Sequence, residues 1–448
     1  MAGIFGTDGV RARINTGPMR AESVVRLALA AGRYFSDASA ARGHTGAPLV
    51  VIGKDTRLSG YMLEAAMVAG FNSIGIDCRL LGPVPTAAVS YLIHSMRADF
   101  GVMISASHNP HHDNGIKLFG ADGHKLDDEV EQAITTLMQG SISLAESEKI
   151  GRARRIINSG SRYMEFVKST FDEDLSLAGM RIVVDSAHGA AYQIAPNSLT
   201  ELGAEVIAMG VSPDGLNINR DCGATSPQTM QKVVADSEAN IGIALDGDAD
   251  RLILSDETGR ICDGDQVLGA LALDYAARGM LEGPVIGTLM SNLGLERMLA
   301  ANNIGFERTA VGDRYIMERM HQTGSNLGGE PSGHILLPKL TRTGDGMIAA
   351  LQILSILARS GKPASEVLSA FTPVPQKLVN LPDMDKSVLD ERRVTDEMAA
   401  VRDFLGDQGR ILLRPSGTEP LIRVMVEAVN QDQLDTAMDR LVTALKQG

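Results

Sequence analysis

A hydrophobic run at residues 100–104, FGVMI, ends abruptly in the small and polar residues of 105–110, SASHNP. Pro110 prevents the immediate continuation of a helix or a central strand, so the chain has to turn at this point. A strand that ends in such a loop is typical of α/β folds, which place their functional sites at strand ends. The stretch therefore predicts an α/β protein that presents the hydroxyl of Ser107 at the end of a strand.

Further β-branched runs end in Gly or Asp in the same way and then give way to helical patterns. They are residues 49–52 before Gly53, 182–184 before Asp185, 241–245 before Asp246, and 285–286 before Gly287. Strands that alternate with helices predict parallel sheets covered on both faces. The recurrence hints at duplicated α/β units, but no internal repeat can be identified from the sequence.

The chain has 448 residues, which is too many for one hydrophobic core, so two to four domains are expected. The polar stretch 140–160, the turn at 255–259 and the segment 361–386 with its four prolines are the candidate boundaries. A strand at 421–428 and a closing helix at 434–445 are predicted after the last boundary. The predicted domains are 1–150, 151–256, 257–370 and 371–448.

Composition narrows the classes of function. The net charge of −13 and the absence of tryptophan argue against a nucleic-acid or anionic-membrane partner. Cys78, Cys222 and Cys262 are far apart, so they predict neither a disulfide framework nor a metal site, and a reducing cytoplasm is expected. No signal peptide is recognisable, and the most apolar stretch, residues 347–358, predicts a buried helix that is too short to span a bilayer.

Residues 246–251, DGDADR, follow one of the predicted strands and precede another apolar run. Three carboxylates in one loop, those of Asp246, Asp248 and Asp250, repel one another unless a cation lies among them. Hard oxygen ligands indicate Mg²⁺ or Ca²⁺, and the loop lacks the glutamate that an EF-hand requires. The alternative interpretation is a solvated acidic turn, which the flanking apolar strands disfavour.

The histidines beside Ser107 raise a second metal hypothesis. In this hypothesis His108, His111 and His112 would bind zinc. The adjacent rings of His111 and His112 are poorly placed to reach one ion, and no cysteine is placed to complete the ligand set. We therefore disfavour zinc. The remaining alternative for this loop is a simple turn in which the serine hydroxyls bond to the backbone.

Two further loops carry groups that suit a phosphorylated, polyhydroxy ligand. Residues 414–420, RPSGTEP, combine a guanidinium, two hydroxyls and a glycine whose neighbouring N–H groups can surround an anion. Residues 328–334, GGEPSGH, present a carboxylate, a hydroxyl and an imidazole. Together with the serine and aspartate loops they predict one site for phosphoryl transfer.

These four motifs, in this order, are where the chain resembles the α-D-phosphohexomutase superfamily, and the resemblance extends over nearly the whole chain. It is strongest to the bacterial branch that acts on glucosamine phosphates, through residues 5–11, 53–57, 113–117 and 217–219. Two positions depart from the pattern: Ala12 stands where the family usually has Gly, and Pro331 where this branch usually has Gln. The resemblance implies four domains around a central cleft, three similar α/β domains and a smaller C-terminal α+β domain.

The resemblance also implies a mechanism. Phosphorylated Ser107 would convert glucosamine 6-phosphate into glucosamine 1-phosphate, a precursor of UDP-N-acetylglucosamine and the cell wall. The reaction would pass through glucosamine 1,6-bisphosphate as intermediate and activator. One Mg²⁺ per subunit would be held by Asp246, Asp248, Asp250 and the phosphate on Ser107. The expected partner is a small-molecule sugar phosphate, and a homodimer is the assembly considered.

Roles for the other residues follow from the same resemblance. Lys117 and His334 are candidates for the general acid and base, and their order is open. Arg11 and His108 would contact the transferring phosphate or shape its loop. The implied substrate ligands are Glu330, Ser332 and Arg251, and the implied anchors of the other phosphate are Arg414, Ser416, Gly417, Thr418 and Arg423.

Three rival functions remain open at this point. A phosphomannomutase/phosphoglucomutase would use the same chemistry on another hexose. A phosphatase would let water attack the phosphoserine. A metal-sensing protein would need only the aspartate loop, and the intact loops around Ser107 and Arg414 argue against it.

Overall fold

The structure of the chain is a computed structural model, and it describes residues 4–6, 8–41, 43, 46–415 and 421–446. Its strands form four sheets of six, five, four and three strands. Helices accompany the first three sheets, while the last and smallest sheet is antiparallel and packs against two helices. This is the predicted α/β architecture with a smaller C-terminal α+β domain.

The first sheet contains β1 (Val10–Arg13), β2 (Leu49–Lys54), β3 (Asp77–Pro83), β4 (Phe100–Ile104), β5 (Asp113–Phe119) and β6 (Ala153–Arg155). Its helices are α1 (Ala21–Ala41), α2 (Ser59–Ser73), α3 (Thr86–Ser95) and α4 (Asp128–Leu137). The strand order is β1-β5-β4-β2-β3-β6. Strands β2, β3, β4 and β6 are parallel, and β5 returns antiparallel to β4.

The second sheet contains β7 (Arg181–Asp185), β8 (Glu205–Met209), β9 (Ile241–Leu245), β10 (Leu252–Asp256) and β11 (Ile261–Cys262). Its helices are α5 (Ser159–Lys168), α6 (Ile194–Glu201) and α7 (Gln228–Ser237). The strand order is β11-β10-β9-β7-β8, with β7, β8 and β9 parallel and β10 antiparallel to β9.

The third sheet contains β12 (Val285–Thr288), β13 (Phe306–Thr309), β14 (Gly328–Gly329) and β15 (Ile335–Leu336), in the order β13-β12-β14-β15. Its helices are α8 (Gly264–Ala277), α9 (Leu293–Ala301), α10 (Asp313–Thr323), α11 (Gly346–Ser360) and the short α12 (Ala364–Val367). The fourth sheet, β16-β18-β17, contains β16 (Gln376–Pro382), β17 (Gly409–Pro415) and β18 (Leu421–Ala428), with α13 (Arg392–Leu405) and α14 (Gln431–Lys446).

One strand order recurs in the first three sheets: β3-β2-β4-β5, β8-β7-β9-β10 and β13-β12-β14-β15. In each case three strands are parallel and the fourth is antiparallel to the third. The runs from which parallel sheets were predicted do lie in parallel strands, but each of these sheets is mixed, because it also contains an antiparallel strand. Each site loop is a hairpin whose return strand pairs with the strand before it. The duplication that the sequence only hinted at is present in the topology.

Burial explains which runs became strands and helices. The runs at 49–52, 182–184, 241–245 and 285–286 lie within β2, β7, β9 and β12, and nearly all of their apolar side chains are buried. The predicted apolar helix is α11, which Asp345 caps through the N–H groups of Met347 and Ile348 and which ends at Gly361 with φ 66°. No helix in the described part of the chain is both long and apolar enough to cross a membrane.

The sheet pairing extends past two of the predicted boundaries. Strand β6 lies inside the polar stretch 140–160 and pairs with β3. The turn at 255–259 does not end the second sheet but joins β10 to β11. In both places a short strand completes a sheet at its edge, where composition gives little signal.

Candidate active site

Topology brings three of the four motif loops together. The loops after β4, β9 and β14 occupy equivalent places in their sheets, and they carry Ser107, the three aspartates, and Glu330 with His334. The first two loops touch, because the Ser107 hydroxyl donates a hydrogen bond to Asp246 Oδ2 at 2.5 Å. The third touches the second through His334 Nδ1, which lies 3.6 Å from Asp250 Oδ1.

Ser107 is held in an unusual state for a loop serine. It is almost completely buried, at 1% exposure, because the aspartate loop covers it. Its φ of 52° is in the left-handed region, which non-glycine residues adopt uncommonly. Its Oγ also lies 3.3 Å from His108 Nδ1. The hydroxyl is therefore directed towards the predicted metal loop and not towards open solvent.

The aspartate loop has the donor set of a divalent cation site. Asp246, Asp248 and Asp250 are buried, and one carboxylate oxygen from each lies within 4.8 Å of the others. The Oδ1 atoms of Asp248 and Asp250 have no hydrogen-bond partner among the residues that the structure describes. Burial, followed by the charges of Asp250 and Asp248, raises the pKa of Asp246 to about 7. Within the described ranges Asp250 Oδ1 has only ion-pair contacts, with His334 at 3.6 Å and Arg251 at 4.0 Å. Buried carboxylate oxygens without a hydrogen bond are costly, so these residues fit a bound cation.

Lys117 is a buried counter-ion to this loop. Its Nζ lies 2.9 Å from Asp248 Oδ2, 3.3 Å from Asp250 Oδ2 and 3.2 Å from Asp8 Oδ2. Burial opposes its charge, but the carboxylates of Asp248 and Asp8 outweigh burial and hold the pKa of Lys117 well above its usual value. The lysine is therefore protonated in this arrangement.

The two histidines at the site are in opposite states. Burial opposes protonation of His334, but Asp250 and Asp313 raise its pKa to about 10. Burial, with Arg251 and Arg11 nearby, lowers the pKa of His108 to about 4. At neutral pH His334 is thus a cation that can donate a proton, and His108 is a neutral imidazole.

A cavity of about 200 Å³ opens beside the aspartate loop. Its wall contains four basic side chains and four carboxylates. The basic ones are those of Arg11, Lys125, Arg251 and His334, and the acidic ones are those of Asp8, Asp250, Asp313 and Glu330. Glu330 Oε1 accepts from the N–H of Gly312 at 2.9 Å, and its Oε2 accepts from Ser332 Oγ at 3.2 Å. This wall suits an anionic ligand with hydroxyl groups. A larger cavity of about 600 Å³ nearby is lined by neither the serine nor the aspartates, so we do not assign it to the chemistry.

The fourth loop is described only in part. Ser416, Gly417 and Thr418 lie outside the described residues, so their role stays a prediction. Arg414 and Arg423 face each other as register partners on β17 and β18. Burial, and then the charge of Arg423, lowers the pKa of Arg414, while Glu330 opposes this shift. Two facing guanidinium groups repel each other, and an anion between them would relieve the repulsion.

Several site residues were not predicted. Lys125 Nζ bridges Asp8 and Asp313 Oδ2, the latter at 2.6 Å, and so joins the first and third domains across the site. Arg57 and Asn219 bond to the backbone of the serine loop. The sequence could have indicated Asp8, Arg57 and Asn219, because they lie within the segments that carry the family resemblance. Lys125 and Asp313 lie in none of these segments.

Comparison with known proteins agrees with this geometry. Family models described as phosphoglucomutase/phosphomannomutase domains I, II, III and the C-terminal domain match residues 2–143, 161–259, 263–374 and 378–444. The phosphoglucosamine mutase of Phenylobacterium zucineum is 52% identical over 99% of this chain and 98% of its own. That of Maricaulis maris is 53% identical over 94% of both chains.

Solved structures show the same fold at lower identity. A phosphoglucomutase/phosphomannomutase family protein from Burkholderia thailandensis matches with a TM-score of 0.81 and 24% identity, over 99% of this chain and 97% of that one. The N-acetylphosphoglucosamine mutase of Aspergillus fumigatus, in complex with GlcNAc-6P and magnesium, matches with a TM-score of 0.64 and 20% identity, over 81% and 92% of the two chains. The chain belongs to the phosphoglucosamine mutases, within the phosphoglucomutase/phosphomannomutase family.

Proposed function

We propose that this enzyme interconverts glucosamine 6-phosphate and glucosamine 1-phosphate by phosphoryl transfer through Ser107. The observation that carries the proposal is the 2.5 Å hydrogen bond from the Ser107 hydroxyl to Asp246, on the loop whose three aspartates fit a divalent cation. The names of the relatives that match nearly the whole chain favour this sugar over mannose or glucose phosphates.

We assign Asp246, Asp248, Asp250 and the phosphate of Ser107 as the ligands of one Mg²⁺. When bound, such an ion neutralises charge on the phosphoryl group and polarises the bond to be broken. The Aspergillus fumigatus mutase that shares this fold was solved with magnesium, which supports the choice of ion.

The chain's own residues account for the proton movements of the transfer. The bond between phosphorus and Ser107 Oγ breaks as a sugar hydroxyl oxygen bonds to phosphorus. The hydroxyl proton must leave, and Oγ must gain one. Lys117, which lies against the aspartates that face Ser107, is our assignment for the donor to Oγ. His334, in the cavity wall, is our assignment for the group at the sugar hydroxyl, where it must first release its own proton.

The remote phosphate needs a second anion site. In each half of the reaction one phosphate of the glucosamine 1,6-bisphosphate lies at Ser107 and the other lies away from it. Arg414 and Arg423 supply two guanidinium groups, and the predicted loop of Ser416, Gly417 and Thr418 would complete the anchor. Glu330 lies on the cavity wall and accepts from Ser332 Oγ, and we assign these two side chains to the binding of sugar hydroxyls.

A comparison of substrates tests this proposal. Purified enzyme with Mg²⁺ and a trace of sugar 1,6-bisphosphate would be given glucosamine, mannose and glucose 6-phosphates in parallel coupled assays. We expect the highest kcat/KM with glucosamine 6-phosphate. Preference for mannose or glucose 6-phosphate would assign the enzyme to the alternative activity, and release of inorganic phosphate matching substrate loss would identify a phosphatase.

A further inference from the structure

Both backbone polar groups of Ser107 bond to side chains, of which those of Ser105 and Arg57 are buried and that of Asn219 is half-buried. Its N–H donates to Ser105 Oγ at 2.9 Å, and its carbonyl oxygen accepts from Arg57 Nη2 at 3.1 Å and from Asn219 Nδ2 at 2.9 Å. A serine at φ 52° keeps that conformation only when its surroundings enforce it. These three contacts therefore hold the nucleophile in its left-handed conformation.

Arg57 provides the support from within the first domain. Its side chain is completely buried, forms an ion pair with Asp55, and also donates to the carbonyl of Asn109 at 2.5 Å. Asp55 in turn accepts from Ser105 Oγ at 2.6 Å, which closes a network around the serine loop. Arginine suits this place because its planar fork can serve two carbonyls and a carboxylate together.

Asn219 provides the support from the second domain. Its Nδ2 donates to the carbonyls of Ser107 and Asn109, at 2.9 and 3.2 Å, and its own N–H donates to the carbonyl of Ala187 at 2.9 Å. Its φ is 57°, a left-handed value that asparagine tolerates better than most residues. The side chain therefore reaches out of the second domain to hold the nucleophile loop of the first.

The two domains approach so closely here that only glycine fits between them. A Cβ atom at Gly247 would lie 2.5 Å from the carbonyl oxygen of Ser107 and 2.9 Å from Asn219 Nδ2. The distance between serine loop and aspartate loop is thus fixed by direct backbone contact. Small displacements of either loop would change the position of the Ser107 hydroxyl relative to Asp246.

We propose that Arg57 and Asn219 are positioning residues, which fix Ser107 for phosphoryl transfer from two domains at once. The geometry of the nucleophile then depends on the docking of the second domain against the first. This inference rests on the proposed function, since it assigns the two residues to the phosphoryl-transfer step.

An isosteric pair of variants tests the role of Asn219. Asn219→Asp removes the donor that faces two carbonyls and retains the size and the tolerance of positive φ. Asn217→Asp is the matched control, because it makes the same charge change in the same loop, where Asn217 Nδ2 donates to the carbonyl of Ser212 at 3.0 Å. Arg57→Lys is the companion variant, which keeps the positive charge beside Asp55 but loses the planar guanidinium that donates to the carbonyls of Ser107 and Asn109.

The readouts are the single-turnover rate of phosphoryl transfer from sugar 1,6-bisphosphate to Ser107, the steady-state kcat and KM, and the thermal midpoint. We expect Asn219→Asp and Arg57→Lys to slow transfer and kcat by about 100-fold, the effect of a misplacement near 1 Å. KM should stay near the wild-type value, and the transfer rate per folded molecule should be lower in Asn219→Asp than in Asn217→Asp, whatever the two thermal midpoints are.

Two results would overturn the assignment. Asn219→Asp with the transfer rate of its control would show that the contact does not position the nucleophile. A lowered thermal midpoint with normal kcat per folded molecule would show a role in stability alone. A wild-type enzyme that accepts no phosphate from the bisphosphate would instead overturn the proposed function, and this inference with it.

Discussion

The two ends of the proposed substrate site are built in opposite ways. At the nucleophile end, Ser107, Lys117 and the three aspartates are buried and bonded to one another across two domains. At the anchor end, Arg414 and Arg423 are only half-buried and lie side by side on two strands of the smallest sheet. One end is a connected network of opposite charges, and the other is a pair of like charges.

This difference matches what each end has to do. Phosphoryl transfer requires reacting atoms held within a narrow range of positions, which a buried and interlocked network provides. The anchor must accept a phosphate from either orientation of the sugar, so it needs charge and donors more than a rigid shape. The comparison predicts that damage to the nucleophile end abolishes chemistry or stability, while damage to the anchor end weakens substrate binding.

The largest effect is expected from Ser107→Ala, which removes the phosphoryl carrier. Turnover should fall to the background of the coupled assay, and no phosphate should be found on the peptide that contains position 107. The variant should remain folded, because only one hydroxyl and its bond to Asp246 are lost. The exposed Ser369→Ala serves as the control, and normal turnover in Ser107→Ala would end the phosphoserine mechanism.

Lys117→Met should cause the largest loss of stability. It leaves the carboxylates of Asp8, Asp248 and Asp250 without their buried cation, which should lower the free energy of unfolding by about 3–5 kcal/mol in metal-free buffer. Mg²⁺ should restore part of the loss, because it would neutralise two of these aspartates, Asp248 and Asp250. Denaturant titration with and without Mg²⁺ measures both the loss of unfolding free energy and its recovery.

The matched control for this variant is Lys339→Met, whose exposed ion pair with Glu282 should contribute less than about 0.5 kcal/mol. Equal losses in the two variants would contradict the view that the nucleophile end is a buried charge network.

Arg414→Ala should act on binding and leave the nucleophile end unchanged. Loss of a charged hydrogen bond to the remote phosphate should weaken sugar-phosphate binding by about 1.5–3 kcal/mol, seen as a higher KM. Phosphate on Ser107 and Mg²⁺ affinity should be retained, and bisphosphate should escape into solution more often. The control is Arg392→Ala, an exposed arginine of the same domain. If Arg414→Ala has a normal KM but has lost its Mg²⁺ affinity, the loop lies at the metal end of the site and does not anchor the remote phosphate.

The smallest effect on activity is expected from Tyr163→Phe, which tests how far the network of the nucleophile end extends. The Tyr163 hydroxyl donates to Asp345 Oδ2 at 2.5 Å, and Asp345 caps the helix whose first N–H, that of Gly346, bonds to the carbonyl of Ala249 in the aspartate loop. The free energy of unfolding should fall by about 1–3 kcal/mol, because the buried Asp345 Oδ2 loses its donor, with little change in kcat. The control Tyr315→Phe, at an exposed tyrosine, should leave stability and kcat unchanged. A large loss of kcat in Tyr163→Phe would show that Tyr163 and Asp345 belong to the catalytic network.

Much of the fold was predictable because its signals are local. The β-branched runs at 49–52 and 241–245, the apolar helix at 347–358 and the final strand and helix are all present. The antiparallel pairing of the return strands was not predicted, and in the third sheet the return strand β15 contains only two residues and carries no periodicity. The turn at 255–259 misled for a related reason, because a hairpin inside a sheet and a domain boundary have the same composition.

The site was predicted as a set of residues and not as a geometry. The motifs placed Ser107 and the aspartates in one site, but the contact between Ser107 and Asp246 joins positions 139 residues apart. The buried, left-handed state of Ser107 and the support from Arg57 and Asn219 depend on how two domains dock. The pairing of Lys125 with Asp313, 188 residues apart, left no trace in either local sequence.

A label chase shows whether the phosphate on Ser107 is transferred to the sugar. Enzyme would be labelled on Ser107 with radioactive phosphate from sugar 1,6-bisphosphate, freed of excess label, and mixed with unlabelled glucosamine 6-phosphate in the presence of Mg²⁺. We expect the label to leave the protein and to appear in glucosamine bisphosphate and glucosamine monophosphates. Label that appears as inorganic phosphate, or that stays on the protein, would contradict the proposed transfer.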